Sequence, residues 1–214
     1  MPSIYQLKPA FQNVLRPLVK FLYRLGITAN MVTLFTMLVS LALSTFIYFY
    51  HQRHDPSIVL LLFPLWMLIR MAFNAIDGML AREFGQQSNL GAYYNELCDV
   101  ISDTALYSCL ISLTFIHAYL LLIVVFLSIL SEYTGVMAPL IGQQRRYDGP
   151  MGKSDRAFWL SLMVIIMVGF SYFTDSTTIL TTVINTMLTI MGLLLCYTIY
   201  NRIKNSLALS SELQ

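Results

Sequence analysis

The sequence predicts an all-α polytopic membrane protein, with six transmembrane helices plus an N-terminal interfacial amphipathic helix. Three observations carry this. Of 214 residues, 57% are hydrophobic and 11% charged, too apolar a balance for a water-soluble domain of that size. The apolar residues fall into runs close to the ~20 residues that a bilayer asks of a helix. Neither the strand-and-turn rhythm of a membrane barrel nor an open sheet, whose backbone lipid cannot satisfy, fits the pattern.

Residues 1–30 read as the interfacial segment, 31–205 as the six-helix domain and 206–214 as a C-terminal tail. Within the first, Phe11, Leu15, Leu18, Leu22 and Leu25 make an apolar stripe, and Arg16, Lys20 and Arg24 recur every fourth residue. That pattern suits a helix lying in the headgroup region, or a basic leader that only sets topology. Pro17 starts or kinks it, Gly26 ends it, and Thr28 or Asn30 caps the helix that follows. No apolar run follows the basic tip as in a cleavable signal, so the first span is expected to serve as its own insertion signal.

The spans are expected near 31–50, 57–82, 90–115, 117–142, 156–173 and 178–203. Six spans put both termini on one side. The basic leader, Arg82, the loop with Arg145, Arg146, Lys153 and Arg156, and the end with Arg202 and Lys204 share that side, against Arg53 opposite. The positive-inside rule therefore turns the termini and these loops to the cytoplasm. The net charge of +2 is near neutral, and no nucleic-acid partner is expected. Cys98, Cys109 and Cys196 sit in predicted spans without a CxxC pair, as small packing residues do. His51 and His54 beside Asp55 read as a solvated loop, since no third ligand is placed with them.

Residues 74–103 hold most of the intramembrane chemistry. Asn74, Asp77 and Ala81 share one helix face, and Gly91, Asn95, Asp99 and Asp103 recur every fourth residue along the next helix. Counting ~1.5 Å of rise per residue from the turn, Asp77 lies level with Asn95, and Asn74 with Asp99 one turn deeper. An intramembrane acid costs roughly 2.5–3.5 kcal/mol on insertion scales, so a cluster of them is functional by default. Oxygen ligands from two facing helices suit Mg²⁺ or Mn²⁺ better than zinc. Arg70, Asp103 and Glu132 fall at one depth and are expected to form a buried, mutually neutralising cluster, acting as a helix staple or as a grip on substrate. Asp77, Glu96, Asp99, Asp103 and Glu132 then outweigh Arg70 and Arg82, and bound divalent metal fits the difference.

This hairpin resembles the signature of the CDP-alcohol phosphotransferase (CDP-alcohol phosphatidyltransferase) family, Asp-x-x-Asp-Gly-x-x-Ala-Arg, eight or nine residues, then Gly-x-x-x-Asp-x-x-x-Asp. Asp77, Gly78, Ala81, Arg82, Gly91 and Asp99 fall in register, while Asn74 and Asn95 stand in place of the usual first and third Asp. Asn30 and Thr33 weakly resemble the family's entry to its first span.

The resemblance implies an enzyme that moves a phosphatidyl group from CDP-diacylglycerol to a small alcohol and releases CMP, in phospholipid biosynthesis. It implies Asp99 as the catalytic proton acceptor, Asn74, Asp77, Asn95, Glu96 and Asp99 as metal ligands, and Asn74, Asp77, Gly78, Ala81, Arg82 and Gly91 as the CDP-binding set. It also implies a homodimer through apolar span faces. Arg145, Arg146, Lys153 and Arg156 suit an acceptor bearing its own phosphate, such as glycerol 3-phosphate, or a basic loop that only orients the chain. A small transporter or cation pathway, or an inactive scaffold of the same fold, are the competing readings.

Overall fold

The computed structural model describes residues 7–173 and 177–211. Among them the chain forms seven α-helices and no strand: α1 Leu7–Arg24, α2 Ala29–His51, α3 Leu62–Glu83, α4 Asn89–Cys109, α5 Ala118–Met137, α6 Lys153–Phe173 and α7 Thr177–Ser211. Short 3-10 turns stand at Ile58–Leu61, Leu110–Ser112 and Ala138–Ile141.

Five segments among the described residues are long and apolar enough to cross a bilayer: Ala29–His51, Ile58–Glu83, Ala118–Ile141, Lys153–Tyr172 and Thr177–Ala208. The expected third span, α4, has the length at 21 residues. Its Glu96, Asp99 and Asp103 take it out of that apolar class. Helix α7 runs without a break to Ser211, through the first part of the expected tail. Residues 1–6 and 212–214 of the two expected terminal segments lie outside the described residues.

The chain divides into two compact units. The first comprises residues 1–42 and 66–103, the second 43–65 and 104–214.

In the first unit, Val19, Ala29, Val32, Ile76, Met79 and Leu80 form a buried core, with Leu15, Leu22 and Phe73 packed against it. Helix α1 therefore carries three stripes. Leu15, Val19 and Leu22 face the core, Arg16, Lys20 and Arg24 make a basic stripe from which Arg16 reaches Glu83 at the end of α3 at 3.0 Å, and Phe11, Val14, Leu18 and Phe21 stay exposed. Pro17 lies inside the helix. The helix closes at Gly26, where the Ile27 amide donates back to the Leu22 carbonyl at 3.1 Å. Of the two candidate caps for α2, Thr28 does the work, its Oγ1 accepting from the Met31 amide at 3.3 Å. Ser88 does the same for α4 through the Gly91 amide at 3.0 Å.

In the second unit, α7 packs against both α5 and α6, and Leu121, Val124, Leu160, Met163, Leu188 and Met191 of these helices are buried. A polar residue in the middle of this apolar packing needs a partner. Asn185 of α7 finds two at the turn before α5: its Oδ1 accepts from the His117 amide at 2.8 Å, and its Nδ2 donates to the Phe115 carbonyl at 2.8 Å. His51 and His54 turn Nδ1 to the carbonyls of Ile47 and Tyr50. His51 is thus buried at the end of α2 instead of being solvated. All three cysteines are free, Cys98 and Cys109 buried and Cys196 exposed within the chain.

Candidate active site

The turn between α3 and α4 opens onto a cavity of about 320 Å³ in the first unit. From the expected residues it is lined by Asp77, Gly78, Ala81, Arg82, Gly91 and Asn95, drawn from both helices. Asp77 is buried, and the Thr33 hydroxyl donates to its Oδ2 at 2.8 Å. Thr33, Asn30, Gln86, Gln87 and Ser88 complete the polar lining. Of these, the weak resemblance at Asn30 and Thr33 was the available signal. The two glutamines look like ordinary connector residues until Gln86 Oε1 accepts from the Ala29 amide at 2.7 Å, tying the α3–α4 turn to the start of α2.

Both glycines of this cavity have company. A Cβ on Gly91 would stand 2.9 Å from Asn30 Oδ1 and 3.0 Å from Ser88 Oγ. A Cβ on Gly78 would stand 3.0 Å from Arg82 Nη2, so the guanidinium lies over bare backbone. Any side chain there would push the Arg82 charge away.

Asn74, Glu96 and Asp99 do not line this cavity. Asn74 turns Nδ2 toward Asp99 Oδ1 at 3.5 Å, the pairing expected from depth. The same oxygen accepts from Arg70 Nη2 at 3.2 Å, and that nitrogen also donates to the Asp99 carbonyl at 3.1 Å. Arg70 Nη1 binds Asp103 Oδ1. One buried guanidinium therefore spans two acids a helical turn apart. Glu96 is half-buried.

The expected trio of Arg70, Asp103 and Glu132 needs correcting. Arg70 and Asp103 pair in the first unit, whereas Glu132 belongs to the second and has its own cations. Arg156 Nη2 lies 3.0 Å from Glu132 Oε1, Arg145 Nη2 3.0 Å from Oε2, and Arg202 Nη1 3.6 Å from Oε1. Depth counting had no way to choose the acid's partner. Arg202, read from sequence as an orienting charge, is 1% exposed and also donates to the carbonyls of Ser131 and Asp148.

The three arginines of the loop are likewise engaged with acids. Arg145 and Arg156 hold Glu132, and Arg146 holds Asp148 by two bonds of 2.6 and 2.8 Å. Arg156 is 1% exposed, so it is part of the interior. Lys153 opens α6, where Asp155 Oδ2 accepts from the Gly152 amide at 3.0 Å. Burial opposes ionisation of Asp148, but hydrogen bonds from Arg146 and Asn205 and the Arg146 charge outweigh it, leaving its pKa below the ordinary aspartate value.

As metal donors, Asp77 and Asp99 supply carboxylates, and Asn74 and Asn95 supply amide oxygens. No group of three or more His, Cys, Asp or Glu side chains among the described residues could hold a metal. The donor set still fits Mg²⁺ or Mn²⁺, which bind through one or two carboxylates and take their remaining oxygens from water and substrate phosphate.

An all-helical multi-pass membrane protein with acids, amides and a guanidinium gathered on two adjacent helices is of the kind that handles charged phosphate groups at a bilayer. The chain belongs to the CDP-alcohol phosphatidyltransferase family, whose profile matches residues 26–203. It is a phosphatidyltransferase of phospholipid biosynthesis, in a divalent-metal-dependent family. Over 211 residues it is 39% identical to the inner membrane protein YnbA of Escherichia coli (strain K12), covering 99% of this chain and 100% of that one. It is 31% identical over 104 residues to the phosphatidylinositol phosphate synthase of Mycobacterium marinum, covering 49% of this chain and 42% of that protein. Its fold is shared by the Mycobacterium tuberculosis phosphatidylinositol phosphate synthase PgsA1. The crystal structure with CDP-DAG bound has a TM-score of 0.70 at 20% identity, over 89% of this chain and 92% of that one. The structure in complex with manganese and citrate also has a TM-score of 0.70 at 20% identity, over 89% and 87%.

Proposed function

We propose that this enzyme transfers the phosphatidyl group of CDP-diacylglycerol to a phosphorylated polyol such as glycerol 3-phosphate and releases CMP. The observation that supports it best is the cavity on which Asp77, Gly78, Arg82, Gly91 and Asn95 converge. An acceptor oxygen forms a bond to the phosphatidyl phosphorus, the bond to the CMP oxygen breaks, and the acceptor proton passes to Asp99. Arg82, lying over Gly78, meets the diphosphate as a positive charge. Thr33 holds the Asp77 carboxylate in one orientation. Arg70 does the same for Asp99. Asp77, Asp99, Asn74, Asn95 and Glu96 are the residues that would hold Mg²⁺ or Mn²⁺. When bound, the metal neutralises the diphosphate and the departing CMP.

The preference for a phosphorylated acceptor is read from the sequence, where Arg145, Arg146, Lys153 and Arg156 gather in one loop; in the fold Arg145 and Arg156 are held by Glu132 and Arg146 by Asp148, so the acceptor's phosphate would have to compete with those acids. Helix α4 serves as a sixth span, its acids facing protein or water instead of lipid. The Lys and Arg distribution turns both termini and the site to the cytoplasm. The exposed apolar stripe of α1 lies in the headgroup region.

The test is CMP release by purified protein from CDP-diacylglycerol with Mg²⁺ or Mn²⁺, across polyol phosphates, serine and choline. Release with polyol phosphates and its loss in Asp99→Asn are expected. Release that is indifferent to the acceptor's phosphate would reject the acceptor assignment, and none with any alcohol would reject the reaction.

A further inference from the structure

We infer that Gln86 is the residue by which this cavity tells a cytosine base from a uracil, reading the ring nitrogen N3 with its side-chain amide. This rests on the reading of the cavity as the CDP site and deepens it.

Both the backbone and the side chain of Gln86 are set by the fold. Beyond α3 the chain turns at Gly85, with a φ of 65°, and the Gln86 amide donates back to the Ala81 carbonyl at 3.0 Å. That closure stops a helix and fixes the residue after the glycine. The side chain then reaches the start of α2, where the first amides have no partner within their own helix. Gln86 Oε1 accepts from the Ala29 amide at 2.7 Å. A backbone amide can only donate, so the oxygen end of the side chain must stand there. The NH2 end is what remains for the cavity, which Gln86 and Ala29 line together. This fixed amide singles Gln86 out from Asn30 and Gln87, its neighbours in the same lining.

The lining supplies both kinds of group that a nucleotide needs. Arg82 brings a guanidinium, which suits a diphosphate. The base carries no charge, and its edge is read by neutral hydrogen-bonding groups of the kind that Gln86 offers.

On a cytosine edge a donor finds acceptors at O2 and N3. Uracil shares O2 but carries N–H at N3, where a held NH2 would meet donor with donor. Discrimination by Gln86 therefore falls on N3. A site built around such a bond rejects the analogue that cannot make it, because its own polar group is then left unpaired.

The experiment is calorimetric titration of the purified full chain in nanodiscs with CDP and with UDP, in Mg²⁺ and without turnover. The two ligands share one diphosphate, so the ratio of their affinities isolates the base. CDP should bind about tenfold more tightly than UDP. Gln86→Glu keeps an acceptor for Ala29 and puts a second acceptor where the donor was. Its added charge weakens both ligands alike, and the preference should vanish or invert in favour of UDP. Gln86→Met, of similar length but without a polar end, should abolish the preference as well. Equal binding of CDP and UDP by the wild-type chain would overturn the inference, as would variants that keep the wild-type ratio. Binding of neither nucleotide by the wild-type chain would instead reject the CDP reading of the cavity.

Discussion

The Thr33 hydroxyl donates to Asp77 Oδ2 at 2.8 Å, joining α2 to α3 across 44 residues of chain. Thr33 is itself buried, and its hydroxyl also lies 3.1 Å from the Ala29 carbonyl. Partners of this kind fix the orientation of a ligating carboxylate, and losing one typically costs about 10–100-fold in metal affinity or activity. Thr33→Val keeps the shape and removes the donor. A fall of that order in Mn²⁺ affinity and in CMP release is expected, with the helical circular dichroism unchanged. Unaltered affinity would mean that the cation does not use Asp77.

Asp99 and Asp103 share Arg70 but should differ sharply in what they do. Asp99 is the proposed proton acceptor, and general-base groups contribute about 10²–10⁴-fold to rate. Asp99→Asn should reduce CMP release by that factor while the protein stays folded. Asp103 is buried and serves to hold Arg70. Removing one partner of a buried pair costs roughly 3–5 kcal/mol. Asp103→Asn should therefore appear first as a lower unfolding temperature. Comparing single-turnover rates with thermal unfolding for both variants checks the division.

The hairpin was legible because its polar residues repeat every third or fourth position within apolar helices, a pattern that local geometry alone accounts for. Depth counting from the turn set Asn74 level with Asp99 for the same reason. What depth cannot supply is rotation and partner choice. Glu132 is held by Arg145, Arg156 and Arg202, contacts 13 to 70 residues away in sequence. Asn185 is similar: a lone amide in an apolar run says that it must be satisfied, but only the fold says that it caps the turn before α5. The span count met a related limit, because the acids that mark α4 as functional also remove it from the apolar class.

Asp148 gives a pH dependence outside the spans. Its folded pKa is lowered, so the pair with Arg146 stabilises the protein above the unfolded pKa and loses that contribution as pH falls through the folded value. The unfolded pKa of an aspartate is about 3.9. The stability difference between wild type and Asp148→Asn should therefore be full at about pH 7 and about pH 5, and should close only below ~3.9. Thermal unfolding across that range checks it. A difference that closes between about pH 7 and pH 5 would show that another group governs the loop.

Glu132 meets three guanidiniums, two of which, on Arg156 and Arg202, are almost completely buried. Glu132→Gln keeps the shape and leaves those charges facing a neutral amide. Uncompensated buried charge is expensive, and a loss of roughly 3–5 kcal/mol is expected. Arg145 is the informative contrast. Its side chain is 24% exposed and stacks over Tyr147 at 4.7 Å, so water can take over part of what Glu132 provides. Arg145→Gln should cost about 1 kcal/mol or less, in line with exposed pairs. The measurement is thermal unfolding of both variants in nanodiscs, beside the double variant Glu132→Gln, Arg202→Met. Removing a cation along with the acid relieves the imbalance, so the double variant should be more stable than Glu132→Gln alone. If it were less stable, by the sum of two independent losses, Glu132 and Arg202 would not be acting as a pair.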